Sequence, residues 1–370
     1  MAKRRSDEGG RTAKPPRQHL YLILDDCSLG YSIRKIDLPS HSPPPNGALR
    51  EVSIGAQLLP SPIIRVEAPR GLPMFFARAF GTKIMAMHPR DGLYEPNTHP
   101  FVPKHLVPAF DVRARAMVFV PRPEQDQMSY PCYIPIGNSL FALSESFQVL
   151  SSPQPNDDDD PTDEWCKLPD PPFSSNFVSS YAVHPDEQII FISIGRLIAP
   201  KTFSFNMAQS EWTTLGGDWM LPFEGGAHFD AELNAWVGLS ACPDHIGHLI
   251  ACDVIPAGHG QCPAQKVSKE NFFSQDPEEG HVGAKLLYMG RSSEFCLLEC
   301  ICIEDKHLAG RIYNYNREES PRYMFRVTTF SLKYDKNGDL TAGDSRQVRY
   351  YSVPAEATFL HLKYPLAFWM

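Results

Sequence analysis

The apolar residues of this chain come in short runs separated by Gly, Pro, Asn and Asp. His19-Leu20-Tyr21-Leu22-Ile23-Leu24, Gln188-Ile189-Ile190-Phe191-Ile192-Ser193 and Glu294-Phe295-Cys296-Leu297-Leu298 show the pattern. Runs this short, rich in β-branched and aromatic residues and flanked by turn formers, predict strands. No stretch of about 12 residues keeps helical apolar spacing. The expected fold is all-β: a sandwich, barrel or propeller.

The strands repeat. Tyr94 and Phe101 bracket a turn, and Phe205 and Trp212 bracket another at the same spacing. Glu164-Trp165-Cys166-Lys167-Leu168 echoes Glu211-Trp212-Thr213-Thr214-Leu215. A hairpin of apolar strand, polar turn and apolar strand lies upstream; in Ile134-Pro135-Ile136-Gly137-Asn138-Ser139-Leu140-Phe141 the Gly-Asn pair supplies the positive-φ turn. First strands of such units fall near Phe75, Cys132, Ser179, Gly226, Ala284 and Ala357. Their spacing centres near the ~50 residues of a kelch-type propeller blade. One four-stranded blade is too thin to bury both faces, and a ring of blades buries them all. The last unit, Thr358-Phe359-Leu360-His361-Leu362, is too short for a blade, while 19–25, 31–36 and 63–66 offer unclaimed strands. The economical solution is a six-bladed kelch-like β-propeller over residues 19–370. Its ring is closed by strands from both termini, with 358–362 pairing to a strand within 19–40.

Composition supports this. Pro occurs 35 times in 370 residues, about twice its usual share, which excludes an all-helical fold. Hydrophobic residues at 42% exclude wholesale disorder. No run approaches the ~18 apolar residues that span a bilayer. The polar start, Met1-Ala2-Lys3-Arg4-Arg5, lacks the apolar region of a secretory signal. Residues 1–18 carry Lys3, Arg4, Arg5, Arg11, Lys14 and Arg17 against Asp7 and Glu8, and read as a disordered basic tail. Lys3-Arg4-Arg5 could also serve nuclear import. An odd count of 9 Cys fits reduced thiols in the cytoplasm or nucleus. The net charge of −8 weighs against whole-surface nucleic-acid binding.

At this point a resemblance becomes concrete. Ser179-Ser180-Tyr181-Ala182-Val183, Thr202-Phe203-Ser204-Phe205, Trp212, Gly217-Asp218-Trp219-Met220-Leu221-Pro222-Phe223 and Leu233-Asn234-Ala235-Trp236-Val237-Gly238-Leu239 resemble a large uncharacterised family expanded in cereal grasses. Leu20-Tyr21-Leu22-Ile23-Leu24 and Tyr31-Ser32-Ile33-Arg34-Lys35-Ile36-Asp37 resemble its N-terminal hairpin. That family is catalogued as a domain of unknown function and resembles kelch propellers. The double glycine of kelch repeats is missing from its usual place; Gly216-Gly217 and Gly225-Gly226 sit elsewhere. The resemblance implies a plant propeller and no known activity or catalytic residues.

Candidate chemistry is sparse. Cys242, His245, His248 and Cys252, with His259 and Cys262 beyond, could bind Zn²⁺, but the spacing is not a standard one and the segment reads as a hairpin, with strands at 235–240 and 249–254. Cys296, Cys300 and Cys302 share one strand face, where small apolar fillers between blades are the expected role. Asp335-Lys336-Asn337-Gly338-Asp339 resembles half an EF-hand loop, yet Leu340 and Arg346 stand where Gly and a bidentate Glu are required. Asn337-Gly338 predicts a type I′ hairpin. The carboxylates at 157–160 read as a solvated loop. Arg311, Arg317, Arg322, Arg326 and Lys333 interleave with Tyr313, Tyr315, Tyr323 and Phe325, a candidate nucleic-acid patch interrupted by Glu318 and Glu319. No Gly-x-Ser-x-Gly, His-Glu-x-x-His, P-loop or dinucleotide motif is present.

The sequence therefore assigns no catalytic, cofactor-binding or metal-binding residue. It points to a monomeric protein-interaction module, an adaptor or scaffold that displays loops to a protein partner, without membrane or nucleic acid. The alternative is an enzyme or small-ligand binder using the central channel, which clustered His, Asp, Glu or Arg from several blades would favour. An exposed apolar rim would favour the adaptor. Trp212, Trp219 and Trp236 are expected to be buried and structural.

Overall fold

The computed structural model describes residues 18–28, 30–38, 52–68, 73, 75–87, 106–124, 130–152, 164–195, 198–256, 261–290, 293–303 and 321–370. The sequence-flagged residues of the tail, Tyr94, Phe101, 157–160, His259, Arg311, Tyr313, Tyr315, Arg317, Glu318 and Glu319 lie outside them.

Consecutive antiparallel strands build five sheets in chain order: blade 1 over 75–121, blade 2 over 132–168, blade 3 over 178–214, blade 4 over 228–267 and blade 5 over 279–352. A sixth sheet joins Leu366–Trp369 to Leu20–Leu24, Tyr31–Ile36 and Pro62–Val66. The six sheets form a six-bladed β-propeller. Two short parallel strands are added at sheet edges. Gly225–Gly226 lies beside Val178–Val183, and Val52–Leu58 covers the outer edge of Leu340–Ser352. Covering an edge removes an unpaired ladder.

The uninterrupted apolar runs follow from this geometry, because a blade strand is covered on both faces. Leu20, Leu22 and Leu24 pack toward blade 5, whereas Tyr21 and Ile23 pack toward blade 1. Ile189 and Phe191 meet blade 4, and Ile190 and Ile192 meet blade 2. Each core cluster among the described residues occupies one interface between neighbouring blades. Cys296, Leu298 and Cys300 face the closing blade in this way, as small buried fillers.

The repeated tryptophans tie blade to blade. Trp165 and Trp212 stand at or beside the outermost strands of blades 2 and 3. Their indole N–H groups donate to Pro121 and Pro169 of the preceding blade, each at 2.9 Å. The Trp236 indole is fully buried and donates to the Val183 carbonyl at 2.7 Å. Trp219 is also buried. Trp212 is less completely buried than the other two, because an outermost strand has solvent along one side.

Ring closure uses both termini, but not the expected segment. Phe359–Lys363 is a short helix, and the closing strand is Leu366–Trp369, antiparallel to Leu20–Leu24 with Leu20 opposite Trp369. The physical reason lies in where side chains can be buried. Phe359 and Leu360 point outward, while Ala367 and Trp369 fill one interface and Leu366 and Phe368 the other. His361 anchors the helix by accepting the Asp25 N–H at 3.0 Å. Two blade starts also move. Blade 4 begins at His228, since Gly225–Gly226 belongs to the edge of blade 3, and blade 5 begins at Glu279, with Ala284 in mid-strand.

Candidate functional site

Each blade's innermost strand runs along the central axis, so its side chains reach the channel where neighbouring blades meet. Five such strands bring one polar side chain each: Arg78 from blade 1, Cys132 from blade 2, Tyr181 from blade 3, His228 from blade 4 and Lys285 from blade 5. The sixth gives a carbonyl, as Arg78 Nη1 donates to Trp369 O at 2.9 Å. Blades 1 and 4 oppose one another, as do blades 2 and 5. Arg78 nevertheless acts electrostatically on His228, and Lys285 on Cys132, so these groups share one narrow channel.

The channel is wet but enclosed. Lys285 keeps solvent-accessible surface, yet protein surrounds it, and this desolvation lowers its pKa. Desolvation lowers Arg78 as well. Burial first, then the charges of Lys285 and Arg78, push His228 down to about 4, so it is neutral at pH 7. Its Nε2 therefore donates to the Leu286 carbonyl at 3.3 Å. Burial raises the Cys132 thiol to about 12 and raises Tyr181, leaving both protonated. Lys285 and Arg78 thus carry the charge, and no carboxylate among the described residues pairs with either.

A cavity of about 630 Å³ opens beside Lys285, between blades 4 and 5 and the closing segment. Leu239, Ile246, Phe273, Tyr364 and Leu366 give it an apolar wall. His281 lines it too, stacked on Phe273 at 4.0 Å, and its Nδ1–H donates to the buried Glu299 at 3.0 Å. Glu299 also receives Arg326 Nη1 at 3.2 Å and the Ser274 N–H at 3.0 Å.

The cavity opens on the face that carries the loops entering innermost strands and the loops joining second to third strands. Up-and-down strand order places both sets at the same end. That face exposes Tyr130, Ile198, Ile246, Phe359, Leu360 and Tyr364. The other large exposed apolar residues among the described ones, Leu58, Ile63, Met117 and Phe119, lie on outermost strands.

The residues singled out from the sequence are placed differently. Cys252 is buried against Trp236 and Ile250, and His248 Nδ1 pairs with the Ser268 carbonyl at 2.8 Å. Among the described residues no His, Cys, Asp and Glu cluster could hold a metal. In the loop at 335–339 the Lys269 ammonium occupies the acidic site, 2.6 Å from Asp335 and 2.9 Å from Asp339. That contact draws the Asp335 carboxyl down to about 2. The turn is not type I′. Gly338 has φ +79° and Asn337 has an ordinary negative φ, which makes a type I turn with a glycine bulge. Of the basic stretch, Arg311, Tyr313, Tyr315, Arg317, Glu318 and Glu319 lie outside the described residues; within them Arg326 is held in the interior by Glu299 and Phe325 is fully buried, while Arg322 and Lys333 are exposed. Arg78, Tyr181, His228 and Lys285 were missed. Arg78 interrupts the apolar strand Phe75–Ala79, whereas Tyr181, His228 and Lys285 share their strands with other polar residues such as Ser180, Asp230 and Glu279, and only the ring brings the four together.

These features define a β-propeller with a cationic axial channel. The chain belongs to a family described as a protein of unknown function (DUF1668), whose sequence model matches residues 17–351. No curated protein matches significantly. Among solved structures the chain is similar to one from a nidogen/laminin complex, with TM-score 0.42, 10% identity, and coverage of 91% of this chain and 99% of that one. It is also similar to TolB from Acinetobacter baumannii, with TM-score 0.36, 11% identity, and coverage of 94% and 82%. The fold assignment rests on the strand pairing rather than on these distant likenesses.

Proposed function

We propose that this protein is an interaction module of the kelch-like kind, a monomeric adaptor in the cytoplasm or nucleus that grips a protein partner with its loop-bearing face. The carrying observation is that, among the described residues, exposed large apolar side chains gather on that face, with the remainder on edge strands. A rigid ring holds Tyr130, Ile246, Phe359 and Tyr364 in fixed positions, so little ordering entropy opposes binding. Exposed aromatics on a rigid frame are the usual anchors of such contacts. The test is affinity capture with the full chain, a Phe359→Ser/Tyr364→Ser variant and a Phe119→Ser edge variant. Partners retained by the parent and by the edge variant should be lost from the face variant. Equal capture by all three refutes the reading.

A further inference from the structure

We infer that the central channel is a binding site for a small organic anion, with its carboxylate or phosphate on the Lys285 ammonium and its apolar body against Leu239, Phe273 and Leu366. The argument starts from charge. The chain is acidic overall, at −8, yet its axis holds two cations from blades 1 and 5. The Lys285 ammonium shares the channel with Arg78 and His228 and has no carboxylate counter-charge among the described residues, which leaves a ligand to supply one.

The other axial groups do not supply it, and Glu224, which lines the same cavity, is not among the groups that act on Lys285. Cys132 and Tyr181 are protonated, and His228 is neutral with Nε2 committed to the Leu286 carbonyl. Arg78 spends one N–H on Trp369 O, and its remaining N–H groups have no partner among the described residues. Its charge, like that of Lys285, acts on His228 and so adds to the positive potential of the channel.

Space and polarity agree. A cavity of about 630 Å³ lies within the usual range of small-molecule sites, roughly 300–1,000 Å³. Its apolar wall beside the Lys285 ammonium suits an amphipathic anion better than a bare ion. Gly283 keeps the mouth narrow: a Cβ there would meet the Lys363 carbonyl oxygen at 2.0 Å, so the closing segment sits directly on the innermost strand of blade 5.

The experiment is calorimetric titration of the full chain at low salt with phenyl phosphate, inorganic phosphate and benzylamine as probes. Phenyl phosphate should bind at about one per chain. Inorganic phosphate should bind more weakly, and benzylamine, the same ring with a cation, should not bind. Lys285→Met should weaken phenyl phosphate about 10- to 100-fold, the usual worth of one charge-assisted hydrogen bond, and Lys285→Arg should retain it. Lys285→Met should also melt close to the parent, because the side chain makes no ion pair among the described residues. Ile246→Trp, at an exposed position on the mouth, gives an independent arm and should weaken phenyl phosphate at least tenfold. Absence of binding to the parent, or binding unchanged by Lys285→Met and Ile246→Trp, overturns the inference.

Discussion

Replacing Trp369 with Ala tests whether the ring owes its stability to closure. Trp369 is 9% exposed and sits between the closing blade and blade 5, among Leu20, Leu22 and Leu287. Its indole N–H donates to the Met289 carbonyl at 3.2 Å and to Gln18 Oε1 at 3.0 Å. Emptying a large aromatic site costs about 3–5 kcal/mol. Leaving the Met289 carbonyl without its donor adds about 1 kcal/mol. The expected loss is thus about 4–6 kcal/mol, about a quarter or more of the roughly 5–15 kcal/mol by which folded proteins are stable. Urea unfolding followed by both circular dichroism and fluorescence gives the midpoint shift and shows whether the slope is unchanged. Trp369→Phe, which keeps most of the apolar area, should lose less than half as much. If Trp369→Ala unfolds at the parent's midpoint, the closing strand frays independently and the other interfaces hold the molecule without it.

Trp236→Ala should cost about 3–5 kcal/mol and Trp212→Ala clearly less, since only the former is fully buried; equal losses in urea unfolding would contradict the packing. Glu299→Ala should cost about 3–5 kcal/mol by stranding the buried Arg326 charge, and Glu299→Met/Arg326→Met should recover much of it in the same assay. His228 is neutral in the fold down to about 4, against 6.5 when unfolded, so protonation favours the unfolded chain between those values. Stability from this group is complete above about pH 6.5 and lost as pH falls toward about 4; His228→Gln should flatten that part of the melting-temperature profile, and an unchanged profile would count against the buried channel.

The sequence by itself determined strand identity and the need for a ring. Short runs such as Leu20–Leu24 and residues 189–192 are hydrophobic at every position. A strand without a polar face must be covered on both sides, and radially packed blades supply that cover. The unclaimed strands at both ends of the chain led to closure for the same reason. Which C-terminal segment closes the ring was decided only in three dimensions, because Phe359-Leu360-His361-Leu362 and Leu366-Ala367-Phe368-Trp369 are similarly apolar. The difference is that His361 finds the Asp25 amide, which holds the first segment as a helix at the rim and leaves the second to enter the sheet. The channel was beyond the reach of local pattern altogether. Arg78, Tyr181, His228 and Lys285 lie far apart along the chain, one per strand, and periodicity reports only which face of a strand a residue occupies. That four such residues meet at one axis, around charges with no carboxylate partner among the described residues, is a property of the closed ring.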